Sequence, residues 1–172
     1  MPVPEWKEAD AIVSDCGRYR YLLTRSWGEG ERLPIVMLNP STADATVDDP
    51  TIRRCMAFAL RDGYAGIEVA NLYALRATRP SALATAKDPE GPENPDHIQA
   101  LALRHAGKKI LCAWGASQYA QPAHVRGVFN LLGGYQAERC CLGETAKGAP
   151  RHPLYVPGTA QLQSYHYTPQ GT

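Results

Sequence analysis

Two carboxamides, an imidazole and several hydroxyl and carboxylate groups stand where apolar runs of this sequence stop. Side chains of these types can position a water, read the polar edge of a ligand and stabilise a developing negative charge. The run LPIVML breaks into Asn39-Pro40-Ser41-Thr42-Ala43-Asp44, and Asp48-Asp49 follows shortly after. Asn71 and Tyr73 interrupt IEVANLYAL, Trp114-Gly115 ends KKILCAWGA, and a late loop carries Lys147, Arg151 and His152 between prolines. Each residue also has a purely structural reading. Asn39 suits an Asx-type turn before Pro40, Asp49 suits the cap of a following helix, and a lone loop histidine suits the surface.

These residues can act together only if the chain brings the ends of the apolar runs to one place. LPIVML has the length and apolar content of a strand buried on both faces and cut off by proline. Pro50 opens a segment in which Ile52, Cys55, Met56, Ala59 and Leu60 recur at helical spacing, so a helix is expected over about 50–62. Further helices are expected over 96–106 and 122–132, the latter stopped by Gly133-Gly134. IEVANLYAL, KKILCAWGA and ERCCLG supply three more strands. Before them, residues on either side of Asp15-Cys16-Gly17, with Tyr19, Tyr21 and Leu23 alternating, read as an antiparallel hairpin. The order hairpin, then β-α-β-α-β-α-β, implies a three-layer α/β/α sandwich around a central, mostly parallel four-stranded sheet. In such a sheet the carboxyl ends of the strands share one edge, where ligands bind. The proline-rich stretch 76–97 is expected to be a long loop with a functional or lid-like role.

Composition narrows the function classes. A chain of 172 residues, 44% of them hydrophobic, fits one domain with an ordered core over about 10–165 and a polar tail, YTPQGT, that is poorly ordered. The net charge of +1 gives no global attraction for a polyanion, so any nucleic-acid contact has to be local. No apolar stretch approaches the roughly 20 residues of a membrane span, and the N-terminus is too polar for a signal peptide, so a cytoplasmic protein without membrane contact is expected. Five cysteines without a C-x-x-C pair suggest neither a disulfide framework nor a thiolate metal site. They read as buried and unreactive, and no metal or cofactor is expected. The phosphate loop G-x-x-x-x-G-K-[ST], the dinucleotide fingerprint G-x-G-x-x-G, the H-E-x-x-H helix and the G-x-S-x-G elbow are all absent.

The segments MLNPSTADATVDDPTIRRC, GYAGIEVANLYALRATRPSAL, GPEN, ILCAWG and GAPRHPLYV resemble the bacterial and phage proteins grouped as the domain of unknown function 1643 family, over roughly residues 17–157. A more distant resemblance is to the uracil-DNA glycosylase superfamily, through strand then L-N-P, strand then N-L-Y, strand then W-G, and a late H-P. Met37 and Ser41 stand where that superfamily has glycines, and its iron–sulfur cysteines are missing. The resemblance implies that Asn39 positions water or substrate, Asn71 reads an extruded base and His152 stabilises the departing base. Asp44 is the third residue placed with the catalytic set. Ser41, Thr42, Asp49, Arg53, Asn71, Tyr73, Trp114, Lys147 and Arg151 are the expected substrate contacts, with cationic members holding phosphate.

Three functions follow from this reading. The first is hydrolysis of an N-glycosidic bond to an unusual base, with DNA or a nucleotide containing that base as partner. The alternatives are a non-catalytic binding module for a nucleotide or modified nucleic acid, and a hydrolase of a free nucleotide or nucleoside in which Asp44 and Asp49 supply base or metal contacts.

Overall fold

The computed structural model describes residues 1–168. The hairpin forms from β1 (Glu8–Val13) and β2 (Arg20–Ser26), followed by β3 (Arg32–Met37), α1 (Pro50–Arg61) and β4 (Gly66–Asn71). Then come α2 (Ala82–Thr85), α3 (Asn94–Arg104), β5 (Lys109–Cys112), α4 (Pro122–Gly134), β6 (Glu138–Cys141), a 3-10 turn (Pro153–Tyr155) and β7 (Gln163–Ser164). Helix α1 starts where expected because Pro50 occupies its first turn and Asp49 caps it, the carboxylate accepting the Ile52 N–H at 2.9 Å.

All strands join one mixed seven-stranded sheet in the order β1-β2-β4-β3-β5-β6-β7. This corrects the four-stranded sheet expected from the sequence. β3 pairs in parallel with β4 and β5, and β5 with β6. The pairings β1–β2, β2–β4 and β6–β7 are antiparallel. The hairpin is no appendage, because β2 continues the sheet through the register Leu23↔Val69. Core packs on both faces of β2, with Tyr21 and Leu22 in one cluster and Leu23 in the other, so the strand lacks the expected alternation and buries Arg20 and Arg25 as well. β7, two exposed polar residues against the edge of β6, has no apolar signal to announce it.

Alternation along β3 divides the core. Leu33, Ile35 and Met37 pack with Ile52, Cys55, Met56 and Phe58 of α1. Val36 and Leu38 lie in the other cluster, with Ile98 and Leu101 of α3 and Val125 and Phe129 of α4. Each such side chain contributes about 1.5–3 kcal/mol on burial, and together they fix which strand ends meet. Stretch 76–97 is less irregular than expected, since it contains α2 and the first residues of α3, and Leu83 is a core residue. Tyr167 of the tail packs on Phe129; residues 169–172 lie outside the described residues. Among the described residues no helix is long and apolar enough to cross a membrane.

Candidate functional site

The chain leaves β3 for β4 on one side and later adds β5 on the other side of β3. That reversal opens a crevice beyond the carboxyl ends of these strands. A cavity of about 530 Å³ occupies it, lined at the strand ends by Met37, Leu38, Asn39, Asn71, Trp114 and Gly115. Ser41, Asp49, Arg151 and His152 also line it, so six of the expected contacts and catalytic residues besides Asn39 share one space: Ser41, Asp49, Asn71, Trp114, Arg151 and His152.

Asn39 is held by its own amide. Its Nδ2 donates to the carbonyls of Pro40 at 3.1 Å, Leu75 at 3.4 Å and Ala77 at 3.0 Å. Three acceptors around one nitrogen fix the orientation of the carboxamide and leave Oδ1 as its acceptor. No Asx turn forms, because Oδ1 accepts no backbone N–H among the described residues; the side chain braces three carbonyls through Nδ2 instead. Asn71 differs. It is 1% exposed, and its Nδ2 has no partner among the described residues. A buried unpaired amide donor costs about 1–3 kcal/mol, and Asn71 is one of the residues lining the cavity. Behind it, Asn94 Nδ2 donates to the carbonyls of Asn71 and Leu72 and fixes the end of β4.

His152 reaches the cavity through two anchors. Gly115, at φ +75°, donates its N–H to the Pro150 carbonyl, and a β-carbon there would stand 3.4 Å from that of His152. On the other side Arg54 of α1 donates to the carbonyls of Pro153 and Val156 at 3.3 and 2.7 Å. The His152 Nδ1 accepts the Leu154 N–H at 3.3 Å, so the neutral ring carries its proton on Nε2. Burial lowers the His152 pKa below its ordinary value, and the Asp49 carboxylate acts in the opposite sense.

Sequence reasoning missed Arg20. This cavity residue is 2% exposed; its Nη1 donates to the Ala43 carbonyl at 2.7 Å, while Nε has no partner among the described residues. Burial brings its pKa down to about 10, with Asp49 opposing, so the guanidinium stays charged at neutral pH. An arginine within an alternating strand gives no sign of facing inward; only the sheet order reveals it. Thr51, Thr78, Thr145 and Tyr155 also line the cavity and had no distinguishing pattern.

Other expected residues lie elsewhere. The Asp44 carboxylate accepts the N–H groups of Thr46 and Val47, both at 2.9 Å, which hold its pKa below the ordinary value; it does not line the cavity. Thr42 lines an adjoining groove, and Arg53 a surface hollow with Met1 and Val3. Tyr73 is buried, stacked on His124, with its hydroxyl accepting the Gln121 N–H. Lys147 is exposed and is not among the cavity residues. Cys55, Cys112, Cys140 and Cys141 are buried, but Cys16 is exposed in the hairpin turn, against expectation.

No curated protein and no solved structure matches the chain. Residues 20–154 match the model of the family described as "Protein of unknown function (DUF1643)", and with most of its length covered the chain belongs to that family.

Proposed function

We propose that this chain hydrolyses the N-glycosidic bond of an unusual base, with the base held in the cavity at the ends of β3, β4 and β5. The observation that carries the reading is Asn71, which lines the cavity with Asn39 and His152 and whose buried Nδ2 has no partner among the described residues. A volume of about 530 Å³ suits a nucleoside-sized ligand, since small-molecule sites fall in the range of about 300–1,000 Å³.

In this reading each group has one task. Asn71 Nδ2 donates to a carbonyl on the base edge, and burial makes that bond selective because any base lacking the acceptor leaves the donor unpaired. Asn39 Oδ1 accepts a hydrogen bond from the attacking water, its orientation fixed by the three carbonyls on Nδ2. The water oxygen bonds to the sugar C1′, the C1′–N bond breaks, and its electron pair leaves with the base. The water proton passes to solvent or to the departing base. Arg20 and the His152 Nε2–H stabilise the base anion, and Asp49 stabilises positive charge developing on the sugar. His152 serves here as a neutral donor, consistent with the lowered pKa.

The test uses a panel of uracil-containing and hypermodified phage-type DNAs. Wild-type protein should release free base from at least one member, and Asn71→Asp and His152→Gln should each slow release by about 10²–10³-fold, the cost of one transition-state donor. Saturable binding without any product across the panel would instead establish a binding module and refute hydrolysis.

A further inference from the structure

Beside the base cavity lies an open groove of about 420 Å³ lined by Gly17, Arg18, Ser41, Thr42, Leu75, Arg76, Ala77 and Thr78. It shares Ser41, Ala77 and Thr78 with the cavity, so the two hollows have a common wall. The hairpin turn is brought there by the Tyr19↔Leu75 bridge and by the Arg76 N–H, which donates to the Arg18 carbonyl at 2.9 Å.

That arrangement puts Arg18 and Arg76 on the lining of one groove. Arg76 makes one long contact to the Gly17 carbonyl, at 3.4 Å, and Arg18 lies over the Tyr19 ring. The ion pairs among the described residues engage Arg25, Arg32, Arg61, Arg104 and Lys108 but not Arg18, Arg20 or Arg76. Arg76 and Arg20 are close enough for the charge of one to lower the pKa of the other. The nearby Asp44 carboxylate is committed to the Thr46 and Val47 N–H groups. The hydroxyls of Ser41, Thr42 and Thr78 make no hydrogen bonds to other described residues and complete the lining. Two neighbouring cations on the groove without ion-pair partners, together with free hydroxyls, suit a phosphate ester.

We infer that this groove is a phosphate subsite, which takes a phosphate attached to the sugar whose base enters the cavity. The inference rests on the reading of the cavity as a base site and extends it from nucleoside to phosphorylated substrate. The same phosphate chemistry belongs to a mononucleotide and to a nucleic-acid strand. In a strand, Arg18 and Arg76 would track the backbone and set the register of the extruded nucleotide without reading its sequence.

The test measures binding separately from chemistry. A labelled single-stranded dodecamer of thymidine with a central tetrahydrofuran abasic analogue is titrated with wild-type protein between 50 and 200 mM salt, followed by fluorescence anisotropy. The Arg18→Gln/Arg76→Gln double variant should bind at least about tenfold more weakly at low salt. Its log–log salt slope should fall by about 1.4, given about 0.7 per phosphate contact on a single strand. Lys7→Gln/Lys109→Gln, which removes the same charge at the opposite strand ends, should bind like wild type. Thymidine 5′-monophosphate and thymidine serve as competitors. Displacement of the strand by the monophosphate at equal affinity identifies a mononucleotide as the source of the phosphate, and a much weaker monophosphate identifies the strand; thymidine should displace least in either case. Equal strand binding by wild type and the Arg18/Arg76 variant, or no strand binding by wild type, overturns the subsite. Base release is scored independently, so a failed groove with intact release, or strand binding without release, shows which of the two readings has failed.

Discussion

Replacing Arg25 by methionine tests whether the loop before α1 is held in place from β2. Arg25 is fully buried, pairs with Asp48 at 2.7 Å, and donates to the Asp44 carbonyl at 2.5 Å and the Val47 carbonyl at 3.3 Å. Trp6 packs on the guanidinium and donates its own N–H to Asp48 at 3.0 Å. One side chain therefore ties segment 44–48 to the sheet, immediately before Asp49 enters the cavity. Methionine keeps much of the volume and removes the charge. Breaking a buried ion pair costs about 3–5 kcal/mol. Asp48 retains 16% side-chain exposure and regains some hydration, which favours the lower end, about 3 kcal/mol. For a chain of this size that corresponds to a Tm lower by about 6–12 °C. Urea unfolding followed by circular dichroism, with Asp48→Asn and the double variant completing a cycle, measures the coupling directly. A loss below about 1 kcal/mol in Arg25→Met would refute the clamp.

Two further predictions concern protonation. Burial disfavours the Glu68 carboxylate, but hydrogen bonding to His105 and the charges of Arg104 and His105 outweigh it, bringing the pKa down to about 2. Its stabilising contribution is thus complete above its ordinary pKa of about 4.5 and is lost as pH falls toward 2. Glu68→Gln should flatten the pH dependence of stability across that window, and an unchanged acid-unfolding profile would contradict it. Nuclear magnetic resonance of the imidazole nitrogens, assigned by comparison with His152→Gln, should find His152 in the Nε2–H form with a pKa below 6.5. Its stability contribution should be present above 6.5 and diminish as pH falls through the folded value. A raised pKa, or the Nδ1–H tautomer, would remove the neutral-donor role.

The parts of the fold visible in the sequence were those carried by apolar pattern and punctuation. LPIVML ended at Asn39-Pro40 as expected, α1 began at Pro50, and the ends of three strands met at one cavity. β2 was misjudged because alternation of tyrosine and leucine cannot report that core will pack against both faces of the strand. For the same reason Arg20 looked like a solvated strand residue and turned out to be a buried cation of the site. Asp44 was misplaced because a carboxylate two residues before a backbone N–H can close an Asx turn as readily as face a ligand. Asn94 left no mark in the sequence either, although it pins the end of the strand that carries Asn71.

The proposal that the cavity cleaves a glycosidic bond is tested most directly by identifying the products formed by wild-type protein from the modified-DNA panel by mass spectrometry. A free base and a strand bearing an alkali-labile abasic site should form in equal amounts. A panel left wholly intact, or a product in which the base is altered while still joined to its sugar, would contradict it.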